Sequence, residues 1–352
     1  MNTKLRLPLA AAGVLSAATL YWLLIGHRQE VVPLSDARAP GPTGGQASKT
    51  RDEARFLELR ALLPTLAPEE ASRRIQTLLD SGIDAPTGLS FKLEREGLLS
   101  ESPTLRLYLL DYLARVDRVA AGDYAKKILA EMNAPEEWAV CLRNYARAFP
   151  GPEGAAFLTD KMRQLLNRAP WQTDPTAGYL EAFDVAVYLG GTELLGDLSQ
   201  LVQRRDNPAL AHAAYLSLDR LTLQDPAPVL DRLQRERALL AGREESRANF
   251  IARASMLDPR QRETVEGYLL DPERGPAELH TFAGLFPNAN FMLSNNLLTR
   301  NDPPSRDMLV RRDRETLNTV EAWLRDERFQ KTRPELERIR SRLVDFLDNG
   351  GR

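Results

Sequence analysis

The stretch 207–240, NPALAHAAYLSLDRLTLQDPAPVLDRLQRERALL, decides how the rest of the chain is read. Leu210, Ala213, Ala214, Leu218 and Leu221 fall at i, i+3, i+4, i+8 and i+11, one apolar face of a 3.6-residue period. Asp225-Pro226 interrupts it, and a second helix follows with Val229, Leu230, Leu233, Leu239 and Leu240 on a weaker face. Ala211, Ala213 and Ala214 are small enough to let a neighbouring helix approach closely. Neither helix can bury its stripe alone, so the pair calls for copies of itself on either side.

Working outward, the copies appear. PTLRLYLLDYLARV places Leu105, Leu109, Tyr112, Leu113 and Val116 on one face, and GDYAKKILAEM follows it. In PEEWAVCLRNYARAF the stripe is Trp138, Cys141, Leu142, Tyr145 and Phe149, with PEGAAFLTDKMRQLL as the second helix. PTAGYLEAFDVAVYL pairs with TELLGDLSQLV, ESRANFIARASML pairs with PRQRETVEGYLL, and GPAELHTFAGLF opens a further unit. First helices starting at Pro103, Pro135, Pro175, Asn207, Glu244 and Pro276 step by 32, 40, 32, 37 and 32 residues. Proline suits these starts because its missing N–H is no loss in a first turn and its φ is already helical.

Stepping of this kind marks an α-solenoid, in which each unit contacts its neighbours and buries a continuous core. With its proline, run of small residues and then leucines, NPALAHAAYLSLDRL resembles a HEAT-like repeat. The likeness covers about 103–286 and extends more loosely over 53–348. Tetratricopeptide repeats fit less well, since their period is a strict 34 and their Trp, Gly, Tyr and Ala are not at fixed offsets here. The resemblance implies an all-α, right-handed superhelix of antiparallel helix pairs that presents an extended surface to a protein partner.

The domain organisation follows from composition. Lys4 and Arg6 precede the uncharged LPLAAAGVLSAATLYWLLIG, residues 7–26. At about 1.5 Å per residue this segment is about 30 Å long, the thickness of a bilayer core. Residues 1–26 are therefore expected to form a signal-anchor with the N-terminus cytoplasmic and the bulk of the chain extracytoplasmic, on the periplasmic side of the inner membrane if the source is bacterial. The rival is a signal peptide cut after Ala18, which would leave Tyr21-Trp22-Leu23-Leu24-Ile25 exposed. Residues 27–52 read as a linker broken by Pro33, Pro40 and Pro42 and by Gly41, Gly44 and Gly45, with a reach of roughly 25–30 Å. The helical-repeat domain occupies 53–352, and no alternating strand is expected within it. Residues 287–307 break the pattern: five of thirteen Asn lie between Asn288 and Asn301, and Pro303-Pro304 blocks a helix. Phe291, Met292, Leu297 and Leu298 make this stretch too apolar for a solvated linker, so it is expected to pack on the repeats. Residues 308–352 read as a charged C-terminal cap.

Charge and motifs narrow the function classes. A net charge of -2 gives no global field for nucleic acid or acidic lipid. Forty of the 47 basic residues are Arg, yet residues 231–247 and 300–315 each set five Arg against four acids. Such mixed signs describe a solvated face rather than a phosphate track, so no nucleic-acid partner is expected. One Cys and three His are a poor stock for a metal site, and no cofactor motif is present. Cys141 lies on an apolar stripe and reads as an inert thiol. Asp184, set among apolar residues, either bonds to an adjacent repeat or lines a face of the solenoid. The reading is a membrane-anchored scaffold with no catalytic, cofactor or metal residues. Its partner-binding candidates are the non-core positions of one helical row: Arg143, Glu181, His212 and Arg253. The alternative is a helical-repeat enzyme with a polar site at Glu278, His280 and the Asn288–Asn301 loop, although i and i+2 point apart on a helix. If the anchor is retained, the protein stays in the membrane pellet after alkaline extraction and its intact mass includes Met1 or Asn2. A soluble product beginning at Thr19 overturns it.

Overall fold

The computed structural model describes residues 54–348 apart from 133 and 293–295, so the expected anchor and linker lie outside the described residues. Among the described residues no helix is long and apolar enough to cross a membrane. The chain is all-α, and its helices follow the pairing read from the sequence. A helical segment, 54–62 (α1), leads through a 3-10 turn to α2 (Pro68–Asp80). The pairs are then α3 (Leu105–Val116) with α4 (Arg118–Ile128), and α5 (Pro135–Ala148) with α6 (Pro152–Leu166). After the short α7 (Ala169–Thr173), a first helix broken into α8 (Ala177–Glu181) and α9 (Asp184–Leu189) precedes α10 (Leu195–Val202). The opening stretch of sequence becomes α11 (Pro208–Gln224) and α12 (Pro226–Arg235). Next come α13 (Glu244–Ile251) with α14 (Pro259–Leu270), α15 (Pro276–Leu285), α16 (Arg306–Arg325) and α17 (Arg333–Asp348).

Local chemistry sets the starts. Proline occupies the first turn of α2, α5, α6, α11, α12, α14 and α15. At α3, α4 and α16 a side chain instead caps the free N–H groups: Thr104 accepts from Leu107, Asp117 from Ala120, and Ser305 from Met308. Between α8 and α9 three i→i−3 bonds tighten the chain, from Phe183 to Leu180, Val185 to Ala182 and Ala186 to Phe183. Gly190 and Gly191, both left-handed, then end α9.

Packing runs in two rows. On one side α3 contacts α5, α5 contacts α8, α9 contacts α11, α13 contacts α15 and α15 contacts α17; on the other, α6 contacts α10 and α12 contacts α14. One contiguous apolar core runs through all of them. The expectation of no strand is corrected. Lys92–Leu93 (β1) and Leu99–Glu101 (β2) form a small antiparallel hairpin, turned by a left-handed Gly97. Strands of two and three residues are too short for period 2 to stand out, but the Glu94–Gly97 turn closes through Gly97 N–H donating to the Glu94 carbonyl.

Burial of the first helices exceeds one stripe. In α5 every residue from Glu137 to Ala146 is buried, because helices flank it on both sides and the hairpin covers its end. Trp138 is fully buried; its Nε1–H donates to the Glu131 carbonyl at 2.8 Å, and Trp171 meets its ring edge-on at 5.5 Å. Trp138→Ala is therefore expected to cost about 3–5 kcal/mol by denaturant unfolding, as truncation of a large core side chain does. A loss below about 1 kcal/mol would contradict this packing.

Candidate extended-chain binding trough

The first-helix row is joined by carboxylate–guanidinium pairs that recur at roughly the repeat step. Asp111 on α3 pairs with Arg143 on α5 at 2.7 Å, Asp184 on α9 with Arg220 on α11, and Asp219 on α11 with Arg253 in the turn after α13 at 2.8 Å. The offsets are 32, 36 and 34 residues. Each rung is largely removed from water, where an ion pair roughly breaks even with an apolar contact but losing one partner costs about 3–5 kcal/mol. Arg143 is further held by the Gly97 carbonyl and Asn144 Oδ1, and Asp111 accepts the Leu99 N–H at 3.0 Å, so the first rung also seats the hairpin.

Across this row, between α15 and α16, lies a strap whose described residues are 287–292 and 296–305. It packs on the repeats as expected, with Leu297 fully buried, though Met292 is exposed. At its start Asn288 donates its N–H to the Ala252 carbonyl at 2.7 Å and its amide to Asn249 at 2.6 Å, while Arg253 reaches the Asn290 carbonyl. Farther on, the strap comes to the other end of the row. Asp184 accepts the N–H groups of Leu298 and Thr299 at 2.6 and 3.0 Å and the Thr299 hydroxyl. Arg147 on α5 donates to the Leu297 carbonyl at 3.3 Å and to that of Glu96. Gly97 lies directly against the Leu297 carbonyl, so any Cβ there would collide with it. The result is a trough-like face, bounded by the hairpin, α5, α9 and α11, against which a bent segment, residues 296–299, is held largely through backbone groups.

The structure redistributes the candidate residues. Arg143 was expected at an exposed non-core position; it is fully buried, because Asp111, Gly97 and Asn144 surround its guanidinium. Arg253 is likewise corrected, its side chain spent on Asp219 and the strap. His212 is exposed on α11 and enters none of these strap contacts. Glu181 is half-buried and lies near enough to Asp184 and Arg220 for their charges to act on it. Asp184 does both things open to it, bonding to the adjacent repeat and lining the trough. Its partners were not legible in the sequence, although the recurrence of an Asp or Arg near each repeat offset was a usable signal.

The polar site of the alternative reading does not assemble in the expected form. Glu278 is buried and accepts from Tyr268 at 3.1 Å and Arg274 at 3.3 Å, with Arg247 at 3.7 Å. His280 is exposed and faces Arg338. Asn288 is committed to α13 through Asn249 and Ala252. Cys141 is fully buried, and burial pushes its thiol well above the ordinary range. Among the described residues no three His, Cys, Asp or Glu side chains gather as a metal site requires. An open groove of about 750 Å³ between α12 and α14 mixes Asp231 and Glu263 with Arg235 and Arg260 and concentrates neither sign. No family model, curated protein or solved structure matches this chain.

Glu181 makes the trough sensitive to pH. Burial, and then the neighbouring Asp184 charge, push its carboxyl up to about 7 from 4.5, against the pull of Arg220. A carboxyl raised on folding holds its proton longer in the folded state, so its contribution favours the fold at low pH and is lost as pH rises from about 4.5 to 7. Glu181→Gln is expected to flatten this slope and to raise Tm at pH 8 relative to the unaltered chain. Parallel Tm–pH curves in thermal scans would contradict it.

Proposed function

We propose that this protein is a protein-interaction scaffold built on HEAT-like helix pairs and held near a membrane by residues 7–26. The observation that carries the reading is the trough. A row of first helices is fitted with buried donors and acceptors that hold residues 296–299 by their backbone groups. Fold alone does not imply function, and the trough is a site rather than a fold. The placement of the repeat domain outside the cytoplasm rests on the charge asymmetry around residues 7–26.

The enzyme reading has less support. Glu278 is occupied by Tyr268 and Arg274, and His280 faces away from it onto Arg338. Nucleic-acid binding has less still. Within 231–247, Arg232, Arg235, Arg237 and Arg247 all sit in ion pairs with Glu236, Asp231, Asp271 and Glu278. Guanidinium groups so engaged are poorly placed to displace counterions from a phosphate backbone.

Site-specific photo-crosslinking in native membranes tests the scaffold. A crosslinker at Glu181 or His212, on the first-helix row, is expected to trap one reproducible protein partner. A crosslinker at the exposed Arg235, on the second-helix row, is expected to trap none. Equal trapping at all three positions, or loss of biological activity of a folded protein on His280→Ala alone, would remove the scaffold reading.

A further inference from the structure

The acids of the first-helix row follow a rule, and Glu181 breaks it. Glu137 meets Arg106 at 3.1 Å, Asp111 meets Arg143 at 2.7 Å and Asp219 meets Arg253 at 2.8 Å. Glu278 meets Arg274 at 3.3 Å, and Asp184 takes Arg220. Each of these carboxylates is withdrawn from water and each is answered by a guanidinium. Glu181, half-buried on the same row, has neither a hydrogen bond nor an ion pair among the described residues. The guanidinium whose charge reaches it, Arg220 on α11, is already engaged by Asp184. Farther along, Asp219 is committed to Arg253, and on the α5 side Glu136 lies against Gly178, one turn before Glu181. Asp184 is filled by Arg220 and three donors from residues 298–299, so it does not compete for a further cation. Once Glu181 ionises, the group of Glu181, Asp184 and Arg220 carries one negative charge in excess. Both oxygens of Glu181 stand without a donor, and the side chain that meets two carboxylate oxygens at once is arginine, whose fork is rigid and always charged.

We propose that Glu181 is the receptor for an arginine side chain of the protein partner, so that complex formation adds one more carboxylate–guanidinium rung to the row, supplied across the interface. The partner's arginine does for Glu181 what Arg220 does for Asp184 and Arg253 for Asp219. Because the guanidinium meets the ionised carboxyl, binding below neutrality must first expel the Glu181 proton, and above neutrality it need not. With the carboxyl raised to about 7 by burial and by Asp184, this linkage makes binding about tenfold tighter at pH 8 than at pH 6.

Such a rung presupposes the scaffold reading but is tested on this chain alone, so a failure here leaves the crosslinking outcome at His212 standing. The full chain is prepared with isotope-labelled glutamate carboxyls, and the Glu181 resonance is identified by its loss in Glu181→Gln. Its titration is followed by NMR with N-acetyl-arginine amide as probe. The control is N-acetyl-citrulline amide with an equal concentration of tetramethylammonium chloride, which matches shape and charge but lacks the cationic fork. At saturation the arginine probe is expected to lower the Glu181 midpoint by about one pH unit, a tenfold preference for the ionised form, while the control leaves it in place. Glutamates already paired at the surface, such as Glu236 and Glu337, are expected to respond alike to the two mixtures. Should Glu181→Gln lose its helical circular dichroism, Glu181→Asp supplies the assignment instead. No shift with the arginine probe, or an equal shift with the control, overturns the proposal.

Discussion

The carboxylate of Asp184 stands almost wholly out of water, and a buried charge is tolerable only if its lone pairs are met by donors. Four donors meet it: the Arg220 guanidinium, two strap N–H groups and the Thr299 hydroxyl. They come from 36 and about 115 residues along the chain. Two features of the fold accompany this convergence. The first helix of that repeat is broken ahead of Asp184, and residues 296–299 lie against the repeats instead of standing in solvent.

The same constraint recurs along the row. The rung from Asp111 to Arg143 and that from Asp219 to Arg253 contribute little net stability over an apolar contact, since desolvation offsets most of the Coulombic gain. Their effect is on register. Sliding one first helix past its neighbour by a turn, about 5.4 Å, would leave an unpaired charge on each side, whereas a row of leucines would tolerate the slip more easily. A core as rich in Leu as this one needs such fixed points.

An α-solenoid ordinarily leaves one helical row open along its length, with each unit touching only its neighbours. Here the strap adds contacts between residues far apart in sequence, tying the hairpin and α5 to the segment before α16. The repeats are thereby closed against part of their own surface. A group such as Glu181, poised to titrate near neutrality beside Asp184 and Arg220, sets the electrostatics of that surface according to the compartment.

The helix pairs, their starts and the break at 287–307 were legible in the sequence. A 3.6-residue stripe, a first-turn proline and a Pro-Pro block are local signals, set by backbone sterics and by which side chains avoid water. The burial of Trp138 and Cys141 was legible for the same reason. What the sequence misjudged was polar. Arg143 and Arg253 look like surface positions because guanidinium groups are seldom buried without a partner, and nothing local reveals a partner a repeat away. The hairpin at 92–101 was missed because its strands are too short to show a period. Where the strap lies was decided only by tertiary structure. Leu297 could fill a core in many places, but the place had also to satisfy Asp184, lie against Gly97 and answer Arg147, and only the folded row puts those three side by side.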